Sequence, residues 1–214
     1  LPSFFNLPLC LRILDLYGEG VTGAKIQYRF GYRPVDCRIT LNAFMKYWIN
    51  ELEPYDNIER FFRLIKQPNS EYIYHTDLMP FLQELLRFHP GLEFLGTHDD
   101  FQKKYAISVA ARIFFKVNTS RSGKLSLKEI RRSNLFYEFM HVDEECDINM
   151  VTEYFSYEHF YVLYCRFFEL DTDKDQLITP DDLMRYADQA LSEVTIQRYL
   201  TNFLIVIYIN TFNY

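Results

Sequence analysis

Glycine is scarce: the 214 residues contain 7, where average usage would supply roughly fifteen. Proline, at 8, also falls below the roughly eleven expected. Few turn formers argue against a turn-rich all-β fold and against collagen-like or low-complexity chains. Little glycine is left for a phosphate-cradling loop, and no nucleophile elbow occurs. Clustered positive charge is missing too. The 23 Lys and Arg are dispersed among 29 Asp and Glu, for a net charge of −6, which disfavours nucleic acid as a partner. The apolar run Phe203–Ile209 falls far short of the ~20 residues that span a bilayer, so no membrane partner is expected. The four cysteines (Cys10, Cys37, Cys146, Cys165) show no CxxC spacing, and read as reduced, mostly buried thiols in a cytosolic or nuclear setting. The five histidines (75, 89, 98, 141, 159) show no HExxH or other ligand spacing, and read as surface or capping residues.

What is present is apolar and aromatic. With 49% hydrophobic and 24% charged residues the chain is globular, and 20 Phe and 17 Tyr predict an aromatic core. Helical periodicity dominates. Phe160, Leu163, Tyr164, Phe167 and Phe168 form one apolar stripe after a candidate N-cap, Ser156, which predicts a helix ending near Leu170. Further helices are expected over Phe44–Leu52, Ile58–Ile65, Leu78–Phe88 and Phe101–Val117, separated by connections such as Gln67–Ser70 and His89–Gly91. A spacing recurs four times, in which an aliphatic residue after a polar turn precedes by five an apolar residue that opens a helix: Ile39/Phe44, Ile73/Leu78, Leu125/Ile130, Ile178/Leu183. That is the spacing of helix–loop–helix calcium hands, whose eighth loop residue forms a short β-bridge with a sister loop.

The fourth unit, Asp171–Asp182, carries the chemistry. Asp171, Asp173, Asp175 and Asp182 stand at loop positions 1, 3, 5 and 12, Leu177 offers a carbonyl at 7, and Thr179 a water-carrying side chain at 9. Such a hard-oxygen set suits Ca²⁺ at one site. Thr179-Pro180-Asp181-Asp182 then reads as a cap, a first-turn proline and first-turn acids. Gln176 at the glycine position and Asp182 in place of Glu predict a weakened site that tolerates Mg²⁺. The third unit, Asn118–Glu129, has Gly123 at position 6 and Glu129 at 12, but Arg121 and Lys124 oppose a cation. It is expected to pair with the fourth loop without metal, while Ser126 and Glu129 make a capping box. The first two units, without carboxylates at positions 1 and 3, are scaffolding. Asp171-Thr-Asp173 could instead serve an aspartate-dependent phosphohydrolase, but that chemistry wants a buried strand before the pair, and an amphipathic helix precedes it here. No catalytic residue is assigned, and the chain is expected not to be an enzyme.

The stretch Thr152–Asp175 resembles the B″ regulatory subunits of protein phosphatase 2A. So do His89–Leu95, Arg112–Phe115, Ser122-Gly123, Leu127–Ser133 and Asp181–Leu183, and the likeness runs in order from about Leu1 to about Arg198. The resemblance implies an elongated, all-α chain of tandem EF-hand-like helix–loop–helix pairs with short β-bridges between paired loops. Its parts would be a degenerate EF-hand-like domain over 1–110, a second EF-hand domain over 111–198, and a divergent apolar tail over 199–214, the family's next calcium hand lying downstream. It also implies a non-catalytic, calcium-binding regulator that binds phosphatase scaffold and catalytic subunits and directs them to phosphoprotein substrates. The setting would be cytoplasmic, with nuclear or centrosomal alternatives. A free-standing calcium sensor or buffer is the alternative function.

Overall fold

A computed structural model describes residues 2–17, 39–175, 177–186 and 192–198. Nine α-helices can be delimited among the described residues: α1 (Asn6–Tyr17), α2 (Leu41–Tyr47), α3 (Asn57–Ile65), α4 (His75–Phe88), α5 (Asp99–Val117), α6 (Leu127–Arg132), α7 (Leu135–Glu144), α8 (Tyr157–Leu170) and α9 (Pro180–Met184). No strand longer than a single bridge occurs among them, as the all-α expectation requires. None of the described helices is long and apolar enough to cross a membrane. The tail 199–214, with its apolar run, lies outside the described residues.

Short polar side chains start these helices. The side chains of Thr40, Asp56, Ser126, Ser156 and Thr179 accept from the backbone N–H three residues on, at 2.9–3.3 Å, satisfying donors that a helix start leaves unpaired. The connection after α4 is tighter. His89 Nδ1 accepts from Gly91 N at 3.0 Å, a capping role of the kind expected for these histidines. A Cβ on Gly91 would sit 2.9 Å from both Cys146 O and Ile148 N, so only glycine allows the 146–148 segment to approach.

The core is aromatic, and Phe139 of α7 is its hub. Its ring lies 5.2 Å from Phe61 and from Phe155, 5.9 Å from Phe5 and 6.0 Å from Phe4. One buried cluster thus joins the start of the chain to residues beyond 150. The buried Tyr105 hydroxyl of α5 donates to the Phe155 carbonyl, and burial pushes its phenol well above the usual tyrosine range. Tyr105→Phe strips that carbonyl of its donor and is expected to cost about 1–3 kcal/mol by denaturant unfolding. A variant as stable as the parent would show that this bond contributes nothing.

Two expectations need correction. The loop 118–129 pairs with the second unit, not with 171–182: Ile73 N donates to Leu125 O and Leu125 N to Ile73 O, both at 2.9 Å, in an antiparallel bridge. Helices α3 and α6 pack together beside that bridge, so the second and third units form the pair. The expected boundary at 110/111 consequently falls inside α5, whose buried residues run from Tyr105 to Val117. The apolar stripe of α8 is only half covered. Phe160 and Tyr164 pack on Tyr105 and Phe101 of α5, with rings 5.5 and 5.0 Å apart, while Leu163 and Phe168 stay exposed. A 3.6-residue period marks the apolar face of a helix but not how much of it a single neighbour covers. Second, the described cysteines are not buried: Cys10 and Cys165 are half-buried and Cys146 is exposed. Cys37 lies outside the described residues.

Candidate metal centre

Loop 171–182 joins α8 to α9. Asp171 is buried at the C-cap of α8, and Asp173 and Asp175 project from the exposed turn that follows. One carboxylate oxygen from each lies within 4.8 Å of the others. Oxygens on opposite sides of a Ca²⁺ ion would stand about 4.6–5.2 Å apart, so the three fit one coordination shell. Their chemistry, hard anionic oxygen throughout, suits the same ion.

Backbone donors shape the turn. Asp175 N donates to Asp171 Oδ1 at 3.1 Å and to Asp173 Oδ1 at 3.4 Å, and Leu177 N donates to Asp175 Oδ1 at 2.7 Å. Lys174, at the fourth loop position, adopts a left-handed φ of 61°, and Arg121 at the fourth position of 118–129 has 55°. Both loops therefore make the same turn, at about 1 kcal/mol or more of backbone strain per non-glycine residue. Gln176, on which the expectation of a weakened sixth position rests, lies outside the described residues.

The other sequence-derived candidates are arranged differently. The buried Asp182 closes a capping box on α9, where its Oδ2 accepts from Thr179 N at 2.8 Å and from Thr179 Oγ1 at 2.6 Å. The Thr179 hydroxyl bond, with the backbone bond adding to it against the effect of burial, holds this carboxyl below its ordinary range. Its Oδ1 lies 4.0 Å from Arg185 Nη1. Asp182 is outside the three-carboxylate group, and Leu177 lies on the exposed side of the loop.

Loop 118–129 shows what a longer side chain at position 12 does. Glu129 Oε2 accepts from Ser126 N at 3.0 Å and Ser126 Oγ at 2.8 Å, which makes the cap of α6. Its Oε1 turns inward and accepts from Ser120 N, Ser120 Oγ and Asn118 Nδ2 at 3.0, 2.9 and 3.1 Å. Burial opposes the charge, but the Ser126 and Ser120 backbone and hydroxyl bonds win and hold the carboxyl down to about 2. Asp182, one methylene shorter, reaches the cap only. Gly123, at a φ of 75°, donates its N–H to Asn118 Oδ1 at 3.0 Å, so glycine is used here for its left-handed conformation. Arg121 and Lys124, expected to repel a cation, lie against aromatic rings instead: the Arg121 guanidinium is 5.2 Å from the Phe115 ring and Lys124 Nζ 3.8 Å from that of Tyr72. Sequence reasoning passed over Asn118, whose signal was an amide at position 1 facing an acid at position 12.

An EF-hand domain model matches residues 56–145, a span that contains the bridged pair. An Arabidopsis thaliana protein named as a probable B″epsilon regulatory subunit of serine/threonine protein phosphatase 2A is 45% identical over 161 residues, covering 75% of this chain and 30% of the relative. The Homo sapiens B″ beta regulatory subunit of serine/threonine-protein phosphatase 2A is 44% identical over 161 residues, 75% of this chain and 28% of its own length. A chain of a solved PP2A PR70 holoenzyme, designated diCa, is 46% identical with a TM-score of 0.66, covering 69% of this chain and 55% of that one. The chain thus spans about three tenths of the length of these two curated relatives. Over the matched three quarters of its own length, the chain is a homologue of the B″ regulatory subunits of protein phosphatase 2A.

Proposed function

We propose that the chain is a non-catalytic, calcium-binding regulatory component of protein phosphatase 2A that helps bring the Ser/Thr phosphatase to phosphoprotein substrates. The identity of about 45% to proteins named as B″ regulatory subunits carries this reading, and the likeness to a chain of a PP2A holoenzyme supports it. The exposed apolar residues of α8, Tyr161, Val162, Leu163 and Phe168, are the kind of surface that a protein partner covers. One calcium ion would be held by Asp171, Asp173 and Asp175 with the Leu177 carbonyl and a water on Thr179, and Asp182 would join if it gave up part of its cap. That exchange predicts a weak site, open to Mg²⁺ as well, in a cytoplasmic protein.

Two measurements test this. Affinity capture of the tagged chain with purified phosphatase scaffold and catalytic subunits, with calcium or with chelator, should recover both of them. Capture of neither in either condition would overturn the phosphatase reading. Calorimetric titration with Ca²⁺ should show one site that Asp171→Ala abolishes. Calcium binding without phosphatase capture would favour the free-standing sensor. Turnover of a phosphomonoester by the isolated chain, lost in Asp171→Asn, would favour the phosphohydrolase. None is expected.

A further inference from the structure

The loop 118–129 is folded around a nitrogen atom. Asn118 Nδ2 lies 2.8 Å from Lys124 O, 3.1 Å from Ser120 Oγ, 3.1 Å from Glu129 Oε1 and 3.3 Å from Ser122 Oγ. These oxygens come from loop positions 7, 3, 12 and 5, the positions that supply ligands to a cation in a calcium hand. An amide nitrogen has two hydrogens to share among four acceptors, so the oxygens are gathered as they would be around an ion. We propose that the side-chain amide of Asn118 takes the place of the cation in this loop, closing the hand permanently and making 118–129 a latent metal site blocked from within.

The sister loop bears this out independently. At its twelfth position, Asp77 Oδ1 accepts from Gln67 Nε2 at 2.8 Å, while Asp77 Oδ2 accepts from Tyr74 N at 2.8 Å as part of the cap of α4. Ser70 Oγ at the fifth position donates to Tyr72 O at the seventh at 2.8 Å, as Ser122 Oγ donates to Lys124 O at 3.0 Å. Both loops joined by the Ile73–Leu125 bridge are therefore tied to their twelfth-position acid by an amide of their own. The bridged pair keeps its shape without metal, and a calcium response is left to loop 171–182. This holds whether or not the chain associates with a phosphatase.

The test replaces the amide by ligands, in the full chain carrying Asp171→Ala so that loop 171–182 is silent. In that background the unchanged loop 118–129 should bind no Ca²⁺ in calorimetric titration. Adding Asn118→Asp with Ser120→Asp sets two more carboxylates against Glu129. The thermal midpoint in chelator is then expected to fall by about 5 °C or more, and about 5 mM Ca²⁺ to restore it, with one new calorimetric site. If this variant is unfolded in chelator, calcium should refold it. Asn118→Ala should lower the midpoint by a similar amount with no recovery in calcium. The proposal is overturned by calcium binding to 118–129 with Asn118 in place. It is overturned equally by a double aspartate variant that ignores calcium, or by an Asn118→Ala chain as stable as its parent.

Discussion

Phe139→Ala is expected to destabilise the protein by about 3–5 kcal/mol, the range for a fully buried phenylalanine whose cavity cannot collapse. The upper half of that range is the more reasonable one here. Phe139 contacts four buried rings, Phe4, Phe5, Phe61 and Phe155, and each aromatic pair contributes about 0.5–1.5 kcal/mol beyond its buried area. Those rings arrive from segments before α1, on α3 and after α7, so the cavity cannot close by shifting one helix. Phe139→Leu retains most of the apolar volume and should cost about half as much, and denaturant unfolding of the two variants measures the difference. A loss below about 1 kcal/mol for Phe139→Ala would mean that the aromatic cluster does not hold the start of the chain to the segment after α7.

Much of this is legible before any fold is known. Helix starts follow from single side chains: Ser126, Ser156 and Thr179 each read as a cap in the sequence, and each caps the helix that follows. The carboxylates of Asp171, Asp173 and Asp175 come together because alternate positions in a tight loop point to one side, a local consequence of spacing. Pairing was not legible, since every unit offers an aliphatic residue at the eighth position, and nothing local says that Leu125 should meet Ile73 rather than Ile178. Nor was the division of labour among acids at position 12. Glu129 spans cap and loop with two oxygens, whereas Asp182 is spent on its cap, a difference of one methylene whose effect depends on where the helix start lies. The placement of Arg121 and Lys124 was not legible either: their long stems carry the charge to the rings of Phe115 and Tyr72.

Glu129→Gln should be the most damaging polar substitution in the bridged pair, at about 2–4 kcal/mol. The carboxylate accepts five hydrogen bonds from Asn118, Ser120 and Ser126. A glutamine can offer one oxygen to one side only, and its NH₂ must then face either the N–H of Ser126 or the donors of Ser120 and Asn118. The same group predicts a pH dependence. Its folded carboxyl is held at about 2 against an unfolded value of 4.5. The folded state therefore binds fewer protons, and the stabilisation is complete above about pH 4.5 and is lost as pH falls towards 2. Asp56 and Asp182 are lowered as well, and Asp77 is raised by burial, so the total curve mixes several groups. The difference between parent and Glu129→Gln isolates this one: its stability gap should be flat from pH 7 to about 5 and should narrow steadily below. A gap that stays constant down to pH 3 would mean that folding does not lower the Glu129 carboxyl, and that the bonds from Asn118, Ser120 and Ser126 do not favour its charged form.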